Sequence, residues 1–157
     1  MKTKLREQVE GFRVASGAPA FNRQIGSGLL PAVDRIRLCA SLCIEEPLET
    51  LEGFGADPEL VAELRALAAK AVASIERGRC NIVEVADGLG DSDYVNEWAR
   101  CEFGLDGEPI ADEIQRANLA KFGPGSSFNA AGKVQKPPGW TAPDIAAVLR
   151  TQGWSVA

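Results

Sequence analysis

Histidine is absent from the 157 residues. That excludes Ser-His-Asp and Cys-His catalysis, and every imidazole-based metal site, within this chain. Acid–base or metal chemistry must rest mainly on carboxylates, with Lys, Tyr and Cys in reserve. Positive charge is also in short supply: 17 Lys and Arg face 22 Asp and Glu, and the net charge of −5 lacks the basic footprint of a general nucleic-acid binder. No apolar run approaches the roughly 18 residues that a membrane span needs. The N-terminal "MKTKLREQVE" is charged and is not followed by the apolar stretch of a secretory signal. The expectation is a cytoplasmic protein with neither nucleic acid nor membrane as partner. The four cysteines, Cys39, Cys43, Cys80 and Cys101, form no CxxC pair and read as reduced, partly buried thiols.

What is present is ordinary globular composition, 45% hydrophobic and 25% charged, in a chain long enough for one domain over 1–157. Helical periodicity separated by Gly/Pro punctuation dominates, with no alternating strand pattern. Helices are expected at about 5–15, 32–52, 57–78, 80–103 and 108–122, followed by a short one after Thr141. Asp57 caps the third, Pro58 suits its first turn and Gly78 its exit, while Leu60, Leu64, Leu67, Ala71, Val72 and Ile75 fall at helical spacing. For the last helix Thr141 is the candidate cap, with Asp144 three residues on. "FNRQIGSGLLP" reads as a loop. "GPGSSFNAAGKVQKPPGW" is too long for a simple turn and reads as a flexible basic segment at about 123–140. The fold class is all-α, a bundle of about four to six helices.

Two acidic stretches stand out. "EVADGLGD" carries Glu84, Asp87 and Asp91, which a step of 100° per residue brings within about 60° of one another. Val95 and Trp98 continue the same sector, whereas Asp93, Asn96, Glu97 and Arg100 lie opposite. "IEEPLE" supplies Glu45, Glu46 and Glu49, and Glu45 and Glu49 continue a stripe through Leu38 and Leu42. Carboxylates in line with large apolar groups read as inward-facing, which is costly unless they are paired or metal-bound. Oxygen-only ligation suits Mg²⁺ or Mn²⁺, so two such helices face to face would form an acidic metal site between core helices.

Downstream, "EIQRANLAKF" places Asn118 and Lys121 one turn apart, and "GKVQKPPGW" adds Lys133 and Lys136. A local cationic group in an acidic protein, beside a carboxylate metal site, suits a polyphosphate substrate.

The order of these motifs, two acidic helices, then E-x-x-R-x-N-x-x-K, then GK…KPPGW, resembles the all-α NTP pyrophosphohydrolase superfamily. That group includes MazG-like proteins, dimeric dUTPases and phosphoribosyl-ATP pyrophosphohydrolase. The resemblance is strongest to the MazG-like, phosphoribosyl-ATP pyrophosphohydrolase-like branch and runs from about Phe12 to Trp140. The family pattern E-E-x-x-E is similar to Glu45, Glu46 and Glu49, and E-x-x-D is similar to Glu84 and Asp87. A second register puts the aspartate role on Asp91. Pro47 departs from the pattern and is expected to kink the helix and re-aim Glu45 and Glu46.

The resemblance implies Mg²⁺-dependent hydrolysis of an NTP or dNTP, dUTP or another non-canonical nucleotide included, to the monophosphate and pyrophosphate. Glu45, Glu46, Glu49, Glu84, Asp87 and Asp91 would hold metal, and Glu46 or Glu49 would take the proton of the attacking water. Asn118, Lys121, Lys133 and Lys136 would bind the nucleotide. A homodimer or homotetramer is implied. Phosphoribosyl-ATP hydrolysis is the enzymatic alternative, and a non-catalytic helical oligomer acting as an interaction module is the other.

Overall fold

Side chains that cap and staple short helices organise this chain, seen here in a computed structural model that describes residues 2–17, 30–130 and 133–156. Among them are six α-helices: α1 (Lys4–Ala15), α2 (Val33–Gly53), α3 (Pro58–Ala73), α4 (Ile82–Phe103), α5 (Gly107–Leu119) and α6 (Ile145–Thr151). The described residues contain no strand, only one isolated antiparallel bridge between Phe128 and Val134. The all-α expectation therefore holds. The loop read at 21–31 lies, up to residue 29, outside the described residues.

The chain divides into two compact units, Gln24–Ala86 and Met1–Arg23 with Asp87–Ala157, so the division falls within α4. In the first, α2 and α3 pack as a helical hairpin closed by residues 54–57, where Gly55 takes φ +90°. Asp57 caps α3 by accepting from the N–H groups of Glu59 (2.8 Å) and Leu60 (3.3 Å), and Pro58 occupies the first turn. Val61 is fully buried, contributing about 1.5–3 kcal/mol of apolar transfer. Arg65 pairs with Glu52 across the hairpin at 3.1 Å.

α3 stops at Ala73 rather than near Gly78, and a single 3-10 turn follows at Arg77–Arg79. Side chains account for the early exit. Arg79 donates to the Ser74 carbonyl (3.0 Å) and Arg37 to that of Ile75 (2.9 Å), giving terminal carbonyls partners that a longer helix would otherwise supply. Arg77 then reaches the carbonyls of Leu30 (2.6 Å) and Pro31 (3.0 Å), fixing the entry to α2.

In the second unit, α1 packs on α5. Lys4 bridges Asp112 (2.8 Å) and Glu108 (3.2 Å), Gln8 donates to Asp112 (2.7 Å), and Gln115 donates to the Gln8 carbonyl (3.0 Å). Phe12 and Phe122 meet at the end of this pair, ring centroids 5.1 Å apart at 59°. Asp106 caps α5, and Gln152 exchanges two hydrogen bonds with its backbone (2.9 and 3.0 Å). The cap of α6 is Asp144, which accepts from the Ala147 N–H at 2.8 Å, and not Thr141. Three residues' separation between carboxylate and N–H is the usual cap geometry, and from Thr141 the helix begins too late for that reach.

Candidate functional site

The C-terminal turn of α5 builds a polar cluster. The last carbonyls of a helix have no intrahelical donor and need one from elsewhere. Here the Ala120 N–H serves Arg116 (3.1 Å), the Lys121 N–H serves Asn118 (3.2 Å) and the Phe122 N–H serves Leu119 (3.0 Å). The carbonyl of Ala117, a residue only 1% exposed, is served by the Trp140 indole N–H at 2.7 Å. One side chain thereby pins the end of the long 123–140 segment back onto the helix.

With Trp140 fixed there, its ring gathers the lysines. The Lys136 ammonium lies 4.6 Å from the ring centroid and that of Lys121 5.7 Å away. Lys121 also donates to the Asn118 side-chain oxygen at 2.7 Å. Asn118, Lys121, Lys136 and Trp140 therefore form one group. Trp140 is the member that residue-type reasoning passed over. The signal available was an indole-bearing residue just after two prolines and a helix whose last carbonyls need donors.

The described part of the 123–140 segment is folded. The Phe128–Val134 bridge is flanked by Gln135 N–H to Ser127 (2.8 Å) and Asn129 N–H to Lys133 (3.0 Å). The Asn129 carboxamide accepts in turn from the Lys133 N–H (2.9 Å), so Lys133 is held by its backbone within this hairpin. The Ser126 hydroxyl accepts from the Gly123 N–H and lies 2.6 Å from the Lys121 carbonyl, tying the hairpin's start to α5.

The other two polar residues of the α5 motif have a different role. Arg116 grips Glu113 through two bonds of 2.8 Å and reaches the Ala142 carbonyl at 3.2 Å. Glu113 also accepts from the Asp144 N–H (2.8 Å). The Arg116 guanidinium, then that N–H, hold the Glu113 carboxyl down to about 2. This clamp fastens α6 to α5 and leaves Asn118 and Lys121, both half-buried, to the Trp140 cluster. A groove of about 470 Å³ runs along α1 and α5, with Leu5, Val9, Ile110 and Ile114 as its apolar lining and Asn118 and Arg100 among its polar lining.

The acidic residues are placed differently from the inward reading. Every residue from 81 to 98 is exposed, so Glu84, Asp87 and Asp91 share their exposure with Val95 (57%) and Trp98 (63%). The wheel misled because Ile82, Val83, Val85, Leu89 and Tyr94 spread apolar groups around α4, leaving no single buried sector. Arg100, on the opposite side of the wheel, is half-buried, its side chain against Gly107. On α2 the surface toward α3 is Ser41, Ile44, Glu45 and Leu48, lining a cavity of about 480 Å³ with Arg65, Ala68 and Val72. Glu45 is accordingly half-buried, while Leu42, Glu46 and Glu49 are exposed. The helix continues through Pro47, and Thr50 donates to the Glu46 carbonyl at 2.9 Å. Among the described residues no group of three or more Cys, Asp and Glu side chains is placed to hold a metal ion.

All four cysteines are free, and Cys39, Cys43 and Cys101 are exposed, contrary to partial burial of the set. Local burial, with Cys39 beside it, still pushes the Cys43 thiol up. No helix among the described residues is long and apolar enough to cross a membrane. Comparison with protein-family models, with curated proteins and with solved structures found no match.

Proposed function

We propose that the chain is a nucleoside triphosphate pyrophosphohydrolase, releasing pyrophosphate from an NTP or dNTP. The observation that carries this reading is the Asn118–Lys121–Lys136–Trp140 group, two ammonium groups and a carboxamide converging at one helix end in an acidic protein. Cations held on an indole and by a carboxamide are pre-oriented, which suits a phosphate chain whose negative charge needs several donors at once. Lys121 and Lys136 take the phosphate oxygens, with Lys133 in the adjoining hairpin, and Asn118 orients the nucleotide.

The remaining roles follow the resemblance of the acidic motifs. Glu45, Glu46 and Glu49 on α2 and Glu84, Asp87 and Asp91 on α4 are the proposed ligands. Their all-oxygen chemistry fits Mg²⁺, with Mn²⁺ as a substitute, although the described side chains are not gathered about a metal position. When bound, Mg²⁺ supplies charge neutralisation and a more acidic attacking water. Glu46 or Glu49, both exposed, would accept a proton from the attacking water. The cytoplasm and a homo-oligomer complete the proposal, which covers dUTP and other non-canonical nucleotides, with phosphoribosyl-ATP as the alternative substrate.

The test offers purified protein a panel of NTPs, dNTPs and phosphoribosyl-ATP with Mg²⁺ and with EDTA, scoring pyrophosphate and orthophosphate separately. Metal-dependent pyrophosphate release from at least one nucleotide is expected. None from any of them sinks the enzymatic reading and favours the interaction module, for which the exposed apolar groups along α4 speak.

A further inference from the structure

α3 is apolar on two sides, and only one of them is covered. Val61, Arg65, Ala68 and Val72 point to the hairpin side, where Val61 is buried and the others are half-buried. Leu60, Leu64, Leu67 and Ala71 form a second line about 100° away around the helix. They fall at helical spacing, yet Leu60 is 60% exposed, Leu64 44% and Leu67 63%, and Ala71 is exposed too. Their spacing of four, three and four is the seam of a coiled coil, not the wider face of a helix lying on a core.

The charges beside this seam say what fits it. Glu63 and Lys70 flank it on the edge away from α2, both exposed and neither in an ion pair among the described residues. Lay a second α3 against the first in the opposite direction, so that Leu60 meets Ala71 and Leu64 meets Leu67. Each Glu63 then falls in the same interval as the other copy's Lys70, giving two identical opposite-charge contacts about a two-fold axis. In a parallel pairing Glu63 faces Ala68 instead, and no such contact forms. A surface that complements itself only under two-fold symmetry is the signature of an isologous interface.

We infer that the exposed α3 seam is a self-association surface, on which a second copy of this chain docks as an antiparallel helix pair. The apolar seam supplies attraction, and the Glu63–Lys70 exchange sets direction and excludes partners that lack it. This proposal gives a surface to the homo-oligomer named above but is independent of the hydrolytic chemistry, since neither residue belongs to the proposed catalytic or binding groups.

Sedimentation velocity of the full chain over about 1–200 μM tests it, with Glu63→Lys, Lys70→Glu and an equimolar mixture of the two variants. Helicity measured by circular dichroism controls for folding, and both sites are on the surface. Wild type is expected to associate as concentration rises. Each single variant places like charges in both intervals and is expected to weaken association about tenfold. The mixture restores both opposite-charge contacts and is expected to associate as wild type does. A wild type that stays monomeric, single variants that associate undiminished, or a mixture as weak as its components would each overturn the proposal.

Discussion

Replacing Trp140 with Phe is the sharpest perturbation of the α5 cluster, because it removes one N–H and keeps an aromatic ring. That N–H serves the carbonyl of Ala117, which is 1% exposed, at 2.7 Å. An acceptor left unsatisfied in such a place costs about 1–3 kcal/mol. The smaller ring also weakens the contact with Lys136 at 4.6 Å, worth about 0.5–1 kcal/mol at an exposed site. The expected total is about 2 kcal/mol, or a fall in Tm of about 4–8 °C for a chain of this size. The loss is local, so hydrogen exchange across residues 117–123 should accelerate while the α2–α3 hairpin keeps its protection. Unchanged Tm and unchanged exchange there in the Trp140→Phe variant would refute the claim that the indole completes the helix end.

Lowering the pH should weaken the Glu113 clamp. Its carboxyl is held down to about 2 from the ordinary 4.5, chiefly by Arg116, so its stabilisation is complete above about 4.5 and is lost as pH falls toward 2. Thermal scans of Glu113→Gln should therefore lie below wild type at pH 6, with the gap closing by pH 2. A gap independent of pH would refute the assignment. Val61→Ala should cost about 2 kcal/mol in denaturant titrations, because Val61 is the largest fully buried side chain among the described residues. In the pyrophosphate assay, Lys121→Ala and Lys136→Ala should lower kcat/KM with helicity intact, and Glu49→Gln and Asp87→Asn should each lower kcat by about a hundredfold or more. Retained activity in both carboxylate variants would remove them from the proposed ligand set.

Helix existence was legible because it depends on local signals. Asp57, Pro58 and the glycines near 53–55 and 104 act within a few residues of themselves, and the helix ends they set fall within a residue or two of expectation. The exit of α3 was not legible, since Arg37, some 38 residues upstream, supplies a hydrogen bond to Ile75. Periodicity misled on α2 and α4 for one physical reason, and the apolar line of α3 is exposed in the same way. Leu60, Leu64 and Leu67, Leu42, and Val95 with Trp98 all lie on tidy stripes, but a stripe reports that a face is apolar and not what covers it. The lysine cluster at the end of α5 was half legible: the Asn118–Lys121 spacing is a helical neighbour relation, whereas the meeting of Lys121 with Lys136 depends on Trp140 folding the segment back. The Glu113–Arg116 spacing of three marks an ion pair, and its grip on Asp144 belongs to the tertiary fold.

The most direct measurement of the central claim is phosphorus NMR of a nucleoside triphosphate incubated with the protein and Mg²⁺, because it distinguishes the bond broken. The account predicts growth of pyrophosphate together with nucleoside monophosphate for at least one nucleotide, suppressed by EDTA and by Lys121→Ala. Growth of orthophosphate with nucleoside diphosphate, or an unchanged spectrum for every nucleotide, would contradict it.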